Sequence, residues 1–186
     1  MESAFLSGQL LIAMPGIGDP RFERSLILLC AHDADHAMGI AVNRPLEGVT
    51  VPDLLERLEI EIDGDVEADL VLIGGPVDVD RGFVLHTDDY HAEHSVAVEG
   101  GLALTTTRDV LQAMAGPDHP RRAILALGYA GWGAGQLERE IRENVWLTVE
   151  ADEALVFDDD YDTKWTRALA KLRIDPKFLS SEGGRA

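Results

Sequence analysis

Short apolar runs separated by polar or glycine-containing turns dominate the chain, and this pattern predicts strands more often than helices. The runs at 25–31 and 38–43 flank the polar stretch 32–36, which predicts a β-hairpin. Because such a turn is too short for a helical crossover, neighbouring strands should pair antiparallel. Further strands of this kind are predicted at residues 70–73, 82–86, 95–98, 102–105, 123–127 and 146–149.

A few segments carry the periodicity of a short amphipathic helix instead. Leu54, Leu55 and Leu58 share one helical face, and Glu138 and Arg142 are spaced for an i, i+4 ion pair. The predicted helices cover residues 51–58, 107–115, 135–144 and 163–172. Since these helices are few and do not alternate with the strands, the sequence predicts an α+β fold with a mainly antiparallel sheet.

The length and the net charge of the chain limit the number of domains and the classes of partner that the protein can have. At 186 residues, the chain suits one domain spanning residues 1–186. Sixteen Lys and Arg residues against 34 Asp and Glu give a formal net charge of −18. Electrostatic attraction to phosphates supplies most nonspecific nucleic-acid binding, so direct nucleic-acid binding is disfavoured, as is an anionic membrane surface. We therefore expect the partner to be a protein or a small ligand.

No segment has the pattern of a targeting sequence or a membrane span. The N-terminal stretch 1–6 lacks basic residues, and the apolar run 10–14 is too short for a signal peptide. The uncharged stretch 123–137 is shorter than the roughly 20 apolar residues that a membrane-spanning helix needs. We expect a cytoplasmic protein that makes no membrane contact.

The glycine-rich segment 128–136 is the most suggestive local pattern. Glycines before a helix let the backbone approach an anion closely, and a helix N-terminus supplies free N–H groups. However, Gly133 is not followed by Lys and Ser or Thr, as a P-loop requires, and Gln136 stands where a dinucleotide motif needs its third glycine. The segment is predicted to be a strand-to-helix turn in which Trp132 is a lid or a core residue.

Histidines and acids give no metal-site pattern. His32 and His36, with Cys30 nearby, would suit zinc on a helix, but their flanks read as strands. The acid runs at 59–69 and 158–162 lack the glycine and the glutamate of a calcium-binding loop. A second loose histidine group lies in a polar stretch at His86, His91 and His94. We therefore predict no metal and no cofactor.

Cys30 is the chain's single cysteine, which excludes an internal disulfide. On an extended strand Cys30 and His32 point to the same face, so the imidazole could lower the thiol pKa and make Cys30 a redox sensor. The competing interpretation is a small buried hydrophobic residue, because Cys30 follows a run of leucine and isoleucine.

Polar side chains at strand ends are further candidates. Arg21 follows Asp19 and Pro20, Asn43 and Arg44 end a predicted strand, and Arg81 directly precedes another predicted strand. In a chain with so few cations, such arginines could bind an anionic ligand. Pairing with internal carboxylates is the favoured alternative, since acids outnumber bases.

Several blocks occur in order along nearly the whole chain: GQLLIAMP at 8–15, DPRFERS at 19–25, MGIAVNRP at 38–45, GGPV at 74–77, RGFVLH at 81–86, LTTTRD at 104–109, LGYAGW at 127–132 and NVWL at 144–147. Together they resemble the AlgH/YqgE family of bacterial proteins. One departure is His36, where family members often have glycine, and Cys30 occupies a position where the family frequently has cysteine.

The resemblance implies a curved, barrel-like sheet with short helices, and it brings no established reaction. The family carries a transcriptional-regulator label. Because the negative charge of this chain disfavours direct DNA binding, such regulation would act through a protein partner. We expect a non-enzymatic binding or regulatory module. Its candidate binding residues are Arg21, Asn43, Arg44, Gly128, Tyr129, Gly131, Trp132 and Gln136. The alternatives are a thiol-based redox sensor through Cys30 and a small-molecule enzyme that uses the segment 128–136.

Overall fold

The computed structural model describes residues 5–63, 66, 69–91 and 94–179, and these residues form ten strands and five α-helices. The strands are β1 (Gln9–Ala13), β2 (Leu26–His32), β3 (His36–Ala41), β4 (Pro45–Thr50), β5 (Leu70–Ile73), β6 (Val77–Thr87), β7 (Val96–Val98), β8 (Leu102–Thr105), β9 (Ala123–Gly133) and β10 (Trp146–Glu150). The helices are α1 (Val51–Arg57), α2 (Arg108–Met114), α3 (Gln136–Arg142), α4 (Glu153–Phe157) and α5 (Tyr161–Lys171). Among the described residues, no helix is both long and apolar enough to cross a membrane.

The strands form one curled, half-barrel sheet in the order β10-β1-β2-β3-β9-β6-β8-β7, in which neighbours pair antiparallel. Off this path, β5 pairs antiparallel with β4 and parallel with β9. Short turns such as the one between β2 and β3 leave no room for a helical crossover, which is why antiparallel pairs dominate. The predicted α+β class with a curved, mainly antiparallel sheet is confirmed.

Strand β9 connects two parts of the sheet, because its two halves pair with different neighbours. Its first half pairs with β6, and its second half, Ala130 to Gly133, pairs with β3. Gly128 lies between the halves with a φ of +77°, where the strand changes neighbours. The prediction of a turn at 128–136 was therefore wrong as to local structure: the strand continues to Gly133, because β3 supplies hydrogen-bonding partners that no local pattern reveals.

The concave face of the sheet holds the main core. Alternate strand residues such as Leu28, Ile40 and Leu104 point inward and pack with α4 and α5. Trp165 on α5 is buried, and its indole N–H donates to the carbonyl of Ala13 at 2.8 Å. Helix α5 thus closes the end of the half-barrel where β1 ends and β2 begins.

Two smaller cores cover the convex face. Helix α3 packs Leu137 against Leu11, Ile27 and Trp146 of the neighbouring strands. Helices α1 and α2 cover the other part of the sheet and contribute to a core that includes Leu55, Val71, Val84, Val110 and Leu125. The sheet is therefore apolar on both faces over much of its area, which explains why many of its strands read as continuous apolar runs.

Lys164 on α5 is fully buried within the concave core. Its ammonium group donates to the carbonyls of Val42 at 3.1 Å and Val156 at 3.0 Å, and it lies 3.9 Å from a carboxylate oxygen of Asp158. Burial lowers the pKa of Lys164 to about 8, although Asp158 acts in the opposite direction. These hydrogen bonds connect α5 to the end of β3 and to the last turn of α4.

The hairpins β2–β3 and β7–β8 and the helices α1, α2, α3 and α5 confirm the sequence predictions, with boundaries shifted by at most two residues. Strands β1 and β4 and helix α4 were not predicted. Thr107, which we predicted as the first residue of this helix, is the N-cap residue of α2. Helix α4 begins at an N-cap, Asp152, whose side chain accepts from Leu155 N at 2.9 Å, but the helix is too short to show apolar periodicity.

Candidate functional site

A cavity of about 490 Å³ opens at the end of the half-barrel opposite α5, and we call it the mouth pocket. It lies beside the end of β2, the beginning of β3 and the end of β9. Helix α5 lies at the opposite end, where Trp165 donates to Ala13 at the end of β1 and Lys164 donates to Val42 just after β3. Its lining is mainly apolar. The side chains that define it come from β2, β3, β6, β7, β8 and β9: Cys30, Met38, Phe83, Val96, Leu104 and Tyr129.

Strand alternation places these side chains in the mouth pocket. Phe83 and Leu104 belong to the concave core, and Met38 and Tyr129 are half-buried at its margin. The rings of Phe83 and Tyr129 meet edge to face with centroids 5.6 Å apart. Within the described residues, the Tyr129 hydroxyl forms no hydrogen bond with another residue, which leaves it available to a ligand. The result is an apolar wall with one phenol group.

Cys30 forms part of the floor of the mouth pocket, but its thiol is 2% exposed. Burial raises the pKa of Cys30 to about 12, which keeps the thiol protonated at neutral pH. A β-bulge between Leu29 and Ala31 breaks the alternation of β2, so that Cys30 packs in the concave core while His32 reaches Glu138 of α3 on the convex side. The predicted Cys30–His32 contact was therefore wrong, and the geometry opposes a reactive thiol.

We expect the buried thiol to make the protein less stable at alkaline pH. Because its folded pKa lies above its unfolded value, the unfolded thiol ionises first, and stability is lost as the pH rises from about 9 to about 12. Between pH 8 and pH 10, the wild type should lose about 1.4 kcal/mol more unfolding free energy than Cys30→Ala, measured by urea denaturation. Lys164 and Tyr161 contribute equally to the pH dependence of both proteins, so their contributions cancel when the two pH profiles are subtracted. Parallel pH profiles would contradict the assignment.

Gly128, the first glycine of the segment 128–136, has a packing role where two chain segments cross. A Cβ atom on Gly75 would lie 2.1 Å from the carbonyl carbon of Tyr129, and one on Gly74 would lie 2.3 Å from the carbonyl oxygen of Gly128. A Cβ atom on Gly128 would in turn lie 2.4 Å from the carbonyl oxygen of Gly75. The backbones between β5 and β6 and at the middle of β9 therefore touch directly, and we call this contact the glycine crossing.

The end of the same segment belongs to a hydrogen-bond cluster on the convex face. The Glu140 carboxylate accepts the indole N–H groups of Trp132 at 3.1 Å and Trp146 at 3.0 Å, and the Gln136 amide at 2.8 Å. Gln136 also accepts from Gly133 N at 2.9 Å. Trp132 is 5% exposed, so it is a core residue and not a lid, although its edge reaches the mouth pocket together with Gly131.

Arg21, Asn43 and Arg44 lie together near a separate groove of about 370 Å³, which Arg21 and Arg44 help to line. Arg21 pairs with Asp19 at 2.8 Å and lowers the pKa of that carboxyl group. Arg44 donates to the Ser25 hydroxyl at 3.0 Å and to neighbouring carbonyls. The Asn43 amide joins the start of β2 to the Arg24 carbonyl. Arg21 thus pairs with a carboxylate as expected, whereas Arg44 and Asn43 bond the segment 20–26 through a hydroxyl and backbone groups. All three residues lie outside the mouth pocket.

The histidines are dispersed over the fold. His32 accepts from Leu6 N through Nδ1 at 2.9 Å, so its Nε2 donates to Glu138, whereas His36 pairs with Asp33 at 3.1 Å in an exposed position. His86 is buried and hydrogen-bonded to the Thr105 hydroxyl at 2.8 Å. Across the described part of the chain, no three His, Cys, Asp or Glu side chains gather in a metal-binding group.

The rim of the mouth pocket contains two valines that the sequence did not single out, together with Arg81, one of the strand-end arginines that the sequence offered as anion binders. Val77 and Val96 are 37% and 53% exposed, and Arg81 stacks its guanidinium over Phe83 at 5.3 Å. The signal of the two valines in the sequence is weak, since an exposed valine in a strand is ordinary. Only the curvature of the sheet brings β6, β7 and β8 opposite β2 and β3 and so assembles this rim.

Comparison with known proteins identifies the family. The family model described as AlgH-like matches residues 10–177. A UPF0301 protein from Caulobacter vibrioides is 59% identical over 187 residues, covering 100% of this chain and 96% of the relative. A UPF0301 protein from Rhodospirillum rubrum is 52% identical over 185 residues, with coverage of 100% and 96%.

Solved structures agree with this grouping. The solution structure of the AlgH protein from Pseudomonas aeruginosa matches with a TM-score of 0.77 and 37% identity, covering 100% of both chains. The crystal structure of protein DIP2367 from Corynebacterium diphtheriae matches with a TM-score of 0.72 at 18% identity, covering 92% of this chain and 90% of that one, and so shares the fold. The family model, the sequence relatives and the fold lead to one conclusion: this chain belongs to the AlgH-like family.

Proposed function

We propose that the protein is a binding module that takes a small, mainly apolar ligand into the mouth pocket. One observation carries this proposal: six strands build a cavity of about 490 Å³ with an apolar lining at the open end of the half-barrel. Small-molecule sites typically have volumes of about 300–1,000 Å³, apolar walls and a few polar groups that orient the ligand. The mouth pocket meets each of these conditions.

The rim supports ligand entry. Val96 and Val77 expose apolar surface at the rim of the mouth pocket, and Val96 lies on β7, an edge strand of three residues. Burying this surface and the exposed parts of Tyr129 and Met38 under a ligand would release ordered water and favour binding. The Tyr129 hydroxyl and the Arg81 guanidinium provide the polar groups that fix the orientation of the ligand.

Other candidate functions receive less support from the geometry. A redox sensor needs an accessible thiol of low pKa, whereas Cys30 is buried and its pKa is raised to about 12. The same protonated thiol is a poor nucleophile for an enzyme that would use this pocket. The groove beside Arg21 and Arg44 could receive a partner's side chain, but Arg21 already pairs with Asp19 and Arg44 already donates to Ser25. With a net charge of −18, direct nucleic-acid binding stays disfavoured.

We test the proposal with octanamide, a neutral apolar probe, followed by amide chemical shifts. A ligand with about ten non-hydrogen atoms should bind with a Kd on the order of 1 mM. The saturating shift changes should cluster around Cys30, Met38, Leu104 and Tyr129. Val96→Trp places a large ring at the rim, and we expect it to fill the pocket and weaken octanamide binding at least about tenfold.

Val79→Trp is the matched control, because Val79 and Val96 are both 53% exposed but Val79 lines the groove of Arg21 and Arg44. The control variant should bind octanamide as the wild type does. Shift changes that do not saturate, or equal loss in the two tryptophan variants, would contradict a ligand site in the mouth pocket.

A further inference from the structure

We propose that the ligand of the mouth pocket is a small monocarboxylic acid, with its apolar body inside the pocket and its carboxylate on the guanidinium of Arg81. This inference rests on the proposed function, and it adds the chemical class of the ligand. It is based on the charges of the residues around the pocket and on the position of the Arg81 guanidinium at the rim.

The lining of the mouth pocket lacks the acidic residues that are abundant in the chain as a whole. Asp and Glu outnumber Lys and Arg by 34 to 16 over the whole sequence. Yet among the described residues no aspartate or glutamate lines the mouth pocket, whereas acidic side chains line the cavities beside Asp69, beside Glu99 and beside Asp80. The groove of Arg21 and Arg44 also has no acidic lining, but Asp19 pairs with Arg21 and the Ser25 hydroxyl accepts from Arg44. An anion that enters the mouth pocket therefore avoids the like-charge repulsion that most of this protein's surface would impose.

Arg81 supplies the matching positive charge. Its guanidinium lies over the Phe83 ring, which itself belongs to the pocket lining, so the stacking contact holds the cation at the rim. Within the described part of the chain, no carboxylate comes within 4.0 Å of the Arg81 nitrogens. The adjacent Asp80 lines the cavity beside α2 instead of the mouth pocket. The planar donor fork of Arg81 is thus available for bidentate contact with a carboxylate.

The other ionisable groups limit the ligand to one carboxylate. His36 also lines the pocket, but its Nδ1 lies 3.1 Å from the carboxylate of Asp33, which offsets any positive charge on that ring. The Cys30 thiol on the floor is neutral, and the Tyr129 hydroxyl can donate one hydrogen bond. One cation at the rim above an apolar interior matches a molecule with a single acidic end.

The test compares octanoate with octanamide, which have the same chain and nearly the same shape. We expect the wild type to bind octanoate about tenfold more tightly than octanamide in calorimetric titrations at low ionic strength. Arg81→Gln should remove this preference, because it should weaken octanoate binding about tenfold more than it weakens octanamide binding. Arg81→Lys should retain part of the preference, because it keeps the charge and loses the bidentate fork.

Arg139→Gln is the matched control, since Arg139 is exposed on α3 and does not line the mouth pocket. This variant should keep the octanoate preference. Equal binding of octanoate and octanamide, insensitive to Arg81→Gln, would overturn the carboxylate assignment while the proposed function stands. Failure of both probes to bind would overturn both proposals. Binding of an apolar tripeptide with a free C-terminus, but not of octanoate, would also overturn the small-acid assignment and point to a peptide ligand.

Discussion

Gly75→Ala is expected to destabilise the protein by at least about 3 kcal/mol, because the added methyl group has no space at the glycine crossing. Its Cβ atom would lie 2.1 Å from the carbonyl carbon of Tyr129 and 2.4 Å from the nitrogen of Ala130. Both contacts are with backbone atoms of β9, so no side-chain rotation can relieve them. The unfolding free energy, measured by urea denaturation with circular dichroism, checks this expectation.

Gly82→Ala is the matched control on the neighbouring strand β6. A Cβ atom on Gly82 would meet only a Leu125 methyl group at 3.9 Å, which is an ordinary contact. This substitution should change the unfolding free energy by less than about 1 kcal/mol, because it adds no clash and reduces the freedom of the unfolded chain. Similar losses in the two variants would show that the crossing is not the cause.

Glu140→Ala is expected to cost about 2–4 kcal/mol, because it leaves the two indole N–H groups of the convex face without their acceptor. Trp132 and Trp146 are 5% and 1% exposed, so water does not replace the carboxylate readily. An unsatisfied buried donor costs roughly 1–3 kcal/mol. Urea denaturation followed by tryptophan fluorescence reports both the stability and the environment of these indoles.

Two further variants separate the hydrogen bonds from the charge of Glu140. Glu140→Gln keeps an acceptor oxygen and should cost less than half as much as Glu140→Ala. Glu143→Ala removes a negative charge near the same helix end without removing a side-chain hydrogen bond, and its effect should stay within about 0.5 kcal/mol. Were Glu143→Ala as damaging as Glu140→Ala, net charge and not the indole hydrogen bonds would explain the loss.

These two contacts support the mouth pocket without lining its centre. The glycine crossing fixes the position of Gly128, which lies between the part of β9 that pairs with β5 and the part that pairs with β3. Tyr129 follows Gly128 and lines the pocket. The hydrogen bonds of Glu140 hold α3 and Trp132 behind the same strand. We therefore expect changes at either contact to alter the pocket through the course of β9.

The sequence by itself determined the elements whose hydrogen bonds or packing are local. The hairpins β2–β3 and β7–β8 close through short turns, and α1 carries its own capping signal, in which Thr50 and Asp53 bond each other's backbone N–H groups. The net charge, the single cysteine and the sequence blocks that resemble the AlgH/YqgE family could also be taken directly from the sequence. Together they sufficed for the α+β class, because antiparallel pairing follows from short connections.

Only the tertiary structure decided where the candidate site lies. Gly128 and Trp132 looked like parts of one turn, but β3 and the glycine crossing extend β9 through them, and both partners are remote in the sequence. The β-bulge in β2 sends Cys30 and His32 to different faces, against simple alternation. The pocket itself exists because curling brings β6–β8 opposite β2 and β3, and curvature depends on long-range pairing and packing that no local pattern encodes.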